Sequence, residues 1–153
     1  MNRDSTKDAA LLVLRLSGLG LVFAHGWGKI GRLTGENADQ FISSIGALGF
    51  PIPVVFAWAA TLSEVVGGSL IALGLFTRVA AAFAAFTVFV AAFFRHKFPI
   101  QLMAWLGLND ASPEDLASLG NPERALMYLL IFLALAFMGG GRFSLDHIRR
   151  KRR

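Results

Sequence analysis

The sequence predicts an all-α integral membrane protein with four spans and both termini cytoplasmic. Three observations predict it. Apolar residues make up 55% of the chain and gather into four blocks. One block, Val54–Leu75, runs for 22 residues with a single charge, Glu64, and no proline; roughly 20 apolar residues at about 1.5 Å each cross the hydrocarbon core. Lysine and arginine are also spread unequally over the two sides that four spans would define.

The 153 residues fit one domain, 1–153, with spans at about 9–27, 54–75, 79–94 and 122–138. The first block, Ala9–Trp27, is interrupted by Arg15 and is followed by no small-residue cleavage site before a soluble domain, so it is expected to stay as a span. In Ala38–Leu48, Phe41, Ile45 and Leu48 share one helical face, which predicts a short helix lying on the bundle or at the interface. Pro51 and Pro53 end it and prepare the second span. The third block, Val79–Phe94, carries Phe83, Phe86, Phe89, Phe93 and Phe94 mostly on one side and alanines opposite. A lipid-facing aromatic side with alanines packed inward is the plainer reading; an isoprenoid-binding face is the sharper one. Ser112-Pro113-Glu114-Asp115 reads as an N-cap, a proline at the first helical position and acids in the first turn. Asn121-Pro122-Glu123 repeats that signal before Ala125–Met138, and Gly139-Gly140-Gly141 ends the block. The third and fourth blocks are short, and flanking residues with mild bilayer thinning cover the difference.

Four spans put the termini and Phe76–Arg78 on one side, with nine basic residues: Arg3, Lys7, Arg78, Arg142, Arg149, Arg150, Lys151, Arg152 and Arg153. The other side has five: Lys29, Arg32, Arg95, Lys97 and Arg124. This bias places the first side in the cytoplasm. The net charge of +5 does not argue for nucleic acid, because the basic residues crowd directly after a membrane block. There they fix topology and attract anionic headgroups by about 1 kcal/mol each. The chain has no cysteine, which excludes disulfides, thiolate nucleophiles and Cys-ligated zinc or iron–sulfur centres. No metal site is expected. Trp27, Trp58 and Trp105 suit an aromatic belt at the outer interface.

A carboxylate at the depth of Glu64 costs on the order of 3 kcal/mol and usually faces a partner inside the bundle. Ala57, Ala60, Thr61, Gly67 and Gly68 share its face, small enough for close helix packing or for a ligand. Measured along the helices from the cytoplasmic side, Arg15 lies about 9 Å deep and Glu64 about 16 Å, so snorkelling is expected to pair them. That pair is either a packing device or the centre of a polar cavity or proton relay. His25 and His96 reach similar depths near the outer surface. They are interfacial polar residues beside Lys29, Arg95 and Lys97, or they exchange protons with a quinone, or, least favoured, they ligate haem b. The candidates for chemistry are Glu64, His25 and Arg15, and the candidate ligand-binding set is Arg15, His25, Lys29, Glu64 and His96. A cavity lined by Arg15, His25 and Glu64 is expected to open toward Lys29 and His96. His147, in the basic tail, is expected to be solvated.

These pieces occur in a recognisable order: Leu14-Arg15-Leu16, His25-Gly26-Trp27-Gly28-Lys29, Leu48-Gly49-Phe50-Pro51-Ile52-Pro53, Glu64-Val65-Val66-Gly67-Gly68, Leu73-Gly74-Leu75-Phe76-Thr77-Arg78, His96 and Gly141-Arg142-Phe143-Ser144-Leu145-Asp146. From about Leu11 to Asp146 the chain resembles the DoxX family of small four-helix bacterial and archaeal membrane proteins. The resemblance implies an integral membrane antiparallel four-helix bundle, a multi-pass protein of the cell (inner) membrane. The family is named for its likeness to a subunit of a thiosulfate:quinone oxidoreductase, and other members look like membrane partners in redox or oxidative-stress complexes. The implied role is a small membrane component of a redox system, with quinone as the cofactor to consider and a polar site around Glu64. The implied partners are the lipid bilayer, redox-complex subunits and further copies of the chain. Flavin, nicotinamide and metal motifs are missing, so a self-sufficient enzyme is not expected. The alternatives are a non-catalytic anchor or scaffold subunit and a small-solute carrier.

Overall fold

A computed structural model describes residues 3–152. Among these the regular structure is entirely helical. In chain order the helices are α1 (Asp4–Thr34), α2 (Ala38–Gly46), α3 (Pro53–Leu73), α4 (Thr77–Arg95), α5 (Phe98–Trp105), α6 (Pro113–Leu119), α7 (Glu123–Met138) and α8 (Leu145–Lys151). Three of them, α1, α3 and α4, are long and apolar enough to cross a membrane. A fourth crossing results if α6 and α7, which meet at a bend of 47°, count as one broken span.

The start and stop signals act locally as their chemistry dictates. The Ser112 hydroxyl accepts the Asp115 N–H at 3.1 Å, with Pro113 in the first turn of α6. The Asn121 side chain accepts the Glu123 N–H at 2.8 Å at the start of α7, and Gly139, at φ +78°, ends that helix. The helix expected over Ala38–Leu48 is α2. Two features differ from expectation. α1 continues past Trp27 to Thr34, because Gly28 and Gly31 are tolerated within an otherwise apolar-and-basic helical pattern and no breaker comes before Gly35. α5 and α8 are additional; Pro99 in the first turn of α5 and the Ser144 hydroxyl, which accepts the His147 N–H at 3.2 Å at the start of α8, are the start signals.

Small residues set how the spans meet. Gly18 backs onto Gly68 and Ala72, and Gly26 onto Glu64 and Val65, so α1 and α3 run in opposite directions. A Cβ on Gly18 would lie 2.4 Å from the Gly68 carbonyl oxygen, so the glycine pair serves close backbone approach. α4 packs chiefly on α7. Ala80, Ala81, Ala84, Ala85 and Val88 of α4 join Phe132 and Leu135 of α7, with Leu11, Leu21 and Ile71, in the core. Phe83 and Phe86 face outward, as a lipid-facing aromatic side requires.

At one end of the bundle the turn from α3 to α4 is held by a residue far away in sequence. The Asp146 carboxylate accepts the Phe76 N–H, the Thr77 N–H and the Thr77 hydroxyl, each at 2.8 Å, and the Asp146 N–H donates to the Gly74 carbonyl at 2.8 Å. Asp146 therefore caps the N-terminus of α4, and its bonds hold Phe76 at φ +48°, a strained value for a bulky residue. Burial pushes the Asp146 carboxyl up, but the hydrogen bonds from Thr77 and Phe76, with nearby Arg150, outweigh it and hold the group below its ordinary range. The Asp8 carboxylate accepts the Arg142 N–H at 2.9 Å at the same end.

Candidate functional site

Among the described residues, three charged side chains of the span helices are buried, Asp8 near the start of α1 and Arg15 and Glu64 farther in, and the last two do not meet. Arg15 is 3% exposed and Glu64 4%. Arg15 Nη1 donates to the carbonyls of Gly140 and Phe143 at 2.8 Å each, and Nη2 donates to that of Ala72 at 3.1 Å. Glu64 Oε1 instead accepts from Lys29 Nζ at 2.5 Å. The expected Arg15–Glu64 pair is thus corrected, and the reason is height. Arg15 stands level with the end of α3, near Ala72 and Gly74, whereas Glu64 stands level with Gly26. Eleven residues of α1, roughly 16 Å, separate the two levels. The guanidinium turns to the nearer end, where the Ala72 carbonyl in the last turn of α3 and the Gly140 and Phe143 carbonyls between α7 and α8 accept its N–H groups. The ammonium of Lys29 reaches inward from the other end.

Glu64 contributes to the wall of a cavity of about 400 Å³. His25, Lys29, Glu64 and His96 all line it, and Arg15 does not. Arg95, Asn121, Arg124 and Tyr128 complete its polar side-chain lining. Lys29, Arg95 and Arg124 supply three cations against one carboxylate, so the cavity favours an occupant with electron-rich oxygens. The His96 Nδ1 lies 2.8 Å from the Leu119 carbonyl, which can only accept; Nδ1 therefore carries the proton, and Nε2 is the acceptor when the ring is neutral. Gln101, 5% exposed, donates to the carbonyls of His96 and Gly120 and fixes the loop beside that ring. The His25 ring meets Tyr128 edge-on at 5.7 Å, and Gly20 leaves the space that the Tyr128 hydroxyl occupies.

The backbone around the cavity is irregular in a consistent way. α1, α3 and α4 each contain one π-helical turn: Val22–Gly26, Ser63–Gly67 and Ala91–Arg95. His25, Glu64, Ala91 and Arg95 come from these turns, and all line the cavity. A π-turn inserts one residue into the helical register, costs regular hydrogen bonding and occurs often at functional sites. Within this one, Glu64 Oε2 is buried and has no hydrogen-bond partner among the described residues. An unpaired carboxylate oxygen in such a place calls for a proton, a water or a ligand group.

Sequence reasoning missed Arg124 and Tyr128. Tyr128 is the single tyrosine of the chain and lies in an apolar block, which was the available signal. His147 is half-buried in α8 rather than solvated.

A multi-pass α-helical membrane protein, with a buried acid on the wall of a polar cavity, is the class that fold and site define. The sequence model of the DoxX family matches residues 10–97, more than half of the chain. The protein belongs to the DoxX family. No curated protein and no solved structure matches it. The matched residues carry α1, α3 and α4 with His25, Lys29, Glu64 and His96, whereas Arg124, Tyr128 and the Gly141–Asp146 segment lie beyond them.

Proposed function

We propose that this protein is a small component of a quinone-linked redox system, with its polar intramembrane site at Glu64. In this reading the chain is one domain in a bacterial or archaeal inner membrane. It forms an antiparallel four-span bundle, α6 and α7 together making the fourth span, with both termini in the cytoplasm. The positive-inside bias supports that orientation. One observation carries the functional reading: Glu64 is buried, holds Lys29 with one oxygen, and leaves the other unpaired at a cavity that also takes His25 and His96.

A quinone head presents two carbonyl oxygens and no donor. Lys29, Arg124 and the Tyr128 hydroxyl are donors suited to those oxygens. Reduction to the quinol adds two electrons and two protons. Protons reach the carbonyl oxygens from groups that can change protonation, and Glu64 and His25 are placed for that. The electrons come from a partner redox subunit, since this chain has no flavin, nicotinamide or metal motif of its own. The isoprenoid tail leaves into the bilayer.

The test is mass spectrometry of lipids extracted from the purified protein, with absorption spectra of the same sample. Stoichiometric quinone in wild type, lost in Glu64→Gln of unchanged melting temperature, supports the reading. Absence of quinone from wild type, together with a stoichiometric protein partner, would replace it with an anchor or scaffold role.

A further inference from the structure

We infer that the end of the bundle opposite the cavity holds one anionic phospholipid, with its phosphate between Arg78, Arg149 and Arg150. The site is a cleft of about 400 Å³ between the start of α4, the end of α7 and the outer face of α8. Its cationic wall is Arg78 from α4 with Arg149 and Arg150 from α8, all exposed. Three side chains from two elements far apart in sequence converge there, which a disordered basic tail does not achieve.

The cleft is built rather than accidental. Asp146 fixes α8 to the α3–α4 turn through its four hydrogen bonds to Gly74, Phe76 and Thr77. That anchorage sets where Arg149 and Arg150 stand. The Arg149 guanidinium lies over the Phe76 ring, 4.8 Å from its centre, and Arg150 Nε donates to the Asp146 carbonyl at 3.3 Å. The Arg78 side chain crosses Gly139, whose φ of +78° excludes most other residues there. The Asp146 carboxylate, occupied by its three donors, sits at the cleft's inner wall near Arg150 without a salt bridge to it, so one acid faces three guanidiniums.

The occupant is a lipid rather than a free anion because of the rim. Val79 and Met138 line the cleft and are exposed, and Phe137 beside them is 78% exposed. Leu145 and Ile148 of α8 are exposed as well, which suits a short helix lying in the headgroup region. Acyl chains cover such a rim, while a phosphodiester meets bidentate guanidinium donors above it. The inference is independent of what occupies the Glu64 cavity.

Native mass spectrometry of the full chain in detergent tests this, with phosphatidylglycerol titrated against phosphatidylcholine. Wild type should retain one phosphatidylglycerol and hold phosphatidylcholine roughly tenfold more weakly. Arg78→Gln/Arg150→Gln should lose phosphatidylglycerol by roughly tenfold, and Arg150→Gln alone by a smaller factor. Circular dichroism checks that each variant folds. Arg152→Gln, in the same tail but outside the cleft, should retain the lipid as wild type does. An equal loss in Arg152→Gln, equal retention of the two lipids, or displacement by an equal concentration of inorganic phosphate would each overturn the site.

Discussion

The bundle buries the cation Arg15 and the anion Glu64 at two levels roughly 16 Å apart and treats them differently. Arg15 spends its two terminal nitrogens on three backbone carbonyls, and only Nε is left without a partner. The neighbours close over it: a Cβ on Gly74 would lie 2.7 Å from its Nη1. Glu64 has one partner, on a long flexible side chain that is one-quarter exposed, and faces a cavity. Arg15 ties the end of α3 and the connection from α7 to α8 to α1, with both terminal nitrogens filled by the chain and Nε alone left over. The Glu64 environment is complete only when something is added. The difference teaches how to sort buried charges in a membrane protein: by whether their hydrogen bonds are filled by the chain itself.

The largest expected effect follows from removing the filled group. Arg15→Leu strands the carbonyls of Gly140, Phe143 and Ala72 and should cost roughly 3–5 kcal/mol, read as a fall in thermal unfolding in detergent. Arg15→Lys should recover only part, because an ammonium cannot span three acceptors in a fixed fork. A variant at residue 15 as stable as wild type would break the comparison from its structural side.

The ion pair is weighed by a double-mutant cycle. Lys29→Leu leaves the Glu64 carboxyl buried without its partner, so it should be less stable than Lys29→Leu/Glu64→Leu. If the double variant costs the sum of Lys29→Leu and Glu64→Leu measured singly, the two groups do not couple.

Packing between α1 and α3 sets the next scale. Gly18→Ala drives a methyl into the Gly68 carbonyl and should cost about 1–3 kcal/mol. Gly28→Ala meets nothing within 4 Å and should be neutral or stabilising by up to about 1 kcal/mol. Smaller again is the cap. Asp146→Asn should cost about 1–2 kcal/mol at neutral pH. Because the native carboxyl is held below its ordinary value of 3.8, its contribution is full above about pH 4 and is lost as pH falls through the lowered native value. The Asn variant should therefore show a flatter loss of stability on acidification than wild type.

How much of this could be read from sequence depends on the kind of partner. The blocks at Val54–Leu75 and Val79–Phe94, the cap at Ser112 and the stop at Gly139 announce themselves by residue type, and α3, α4, α6 and the end of α7 lie where those signals fall. The polar set His25, Lys29, Glu64 and His96 is also legible, as rare groups at the ends and centre of apolar runs. The partners of Arg15 are not, because backbone carbonyls look alike in every residue. Depth counted along a helix gives height only roughly, and it placed Arg15 and Glu64 within reach of each other. The π-turns at Val22–Gly26, Ser63–Gly67 and Ala91–Arg95 shift register without a sequence signature, which is why the lining of the cavity could not be drawn in advance. The bend between α6 and α7 comes from Gly120-Asn121-Pro122, which reads in sequence as a start signal and only in the structure as a hinge.

Glu64→Gln is the smallest change of all in shape, and it tests the central claim that the Glu64 cavity is a ligand site rather than a packing device. The measurement is titration of purified wild type and Glu64→Gln with a short-chain quinone, followed by tryptophan fluorescence, with melting temperature recorded for both. The account predicts saturable binding by wild type, weakened at least roughly tenfold in Glu64→Gln, with the two proteins melting together. Identical binding by both proteins, or none by either, would contradict it and leave Glu64 a structural residue beside Lys29.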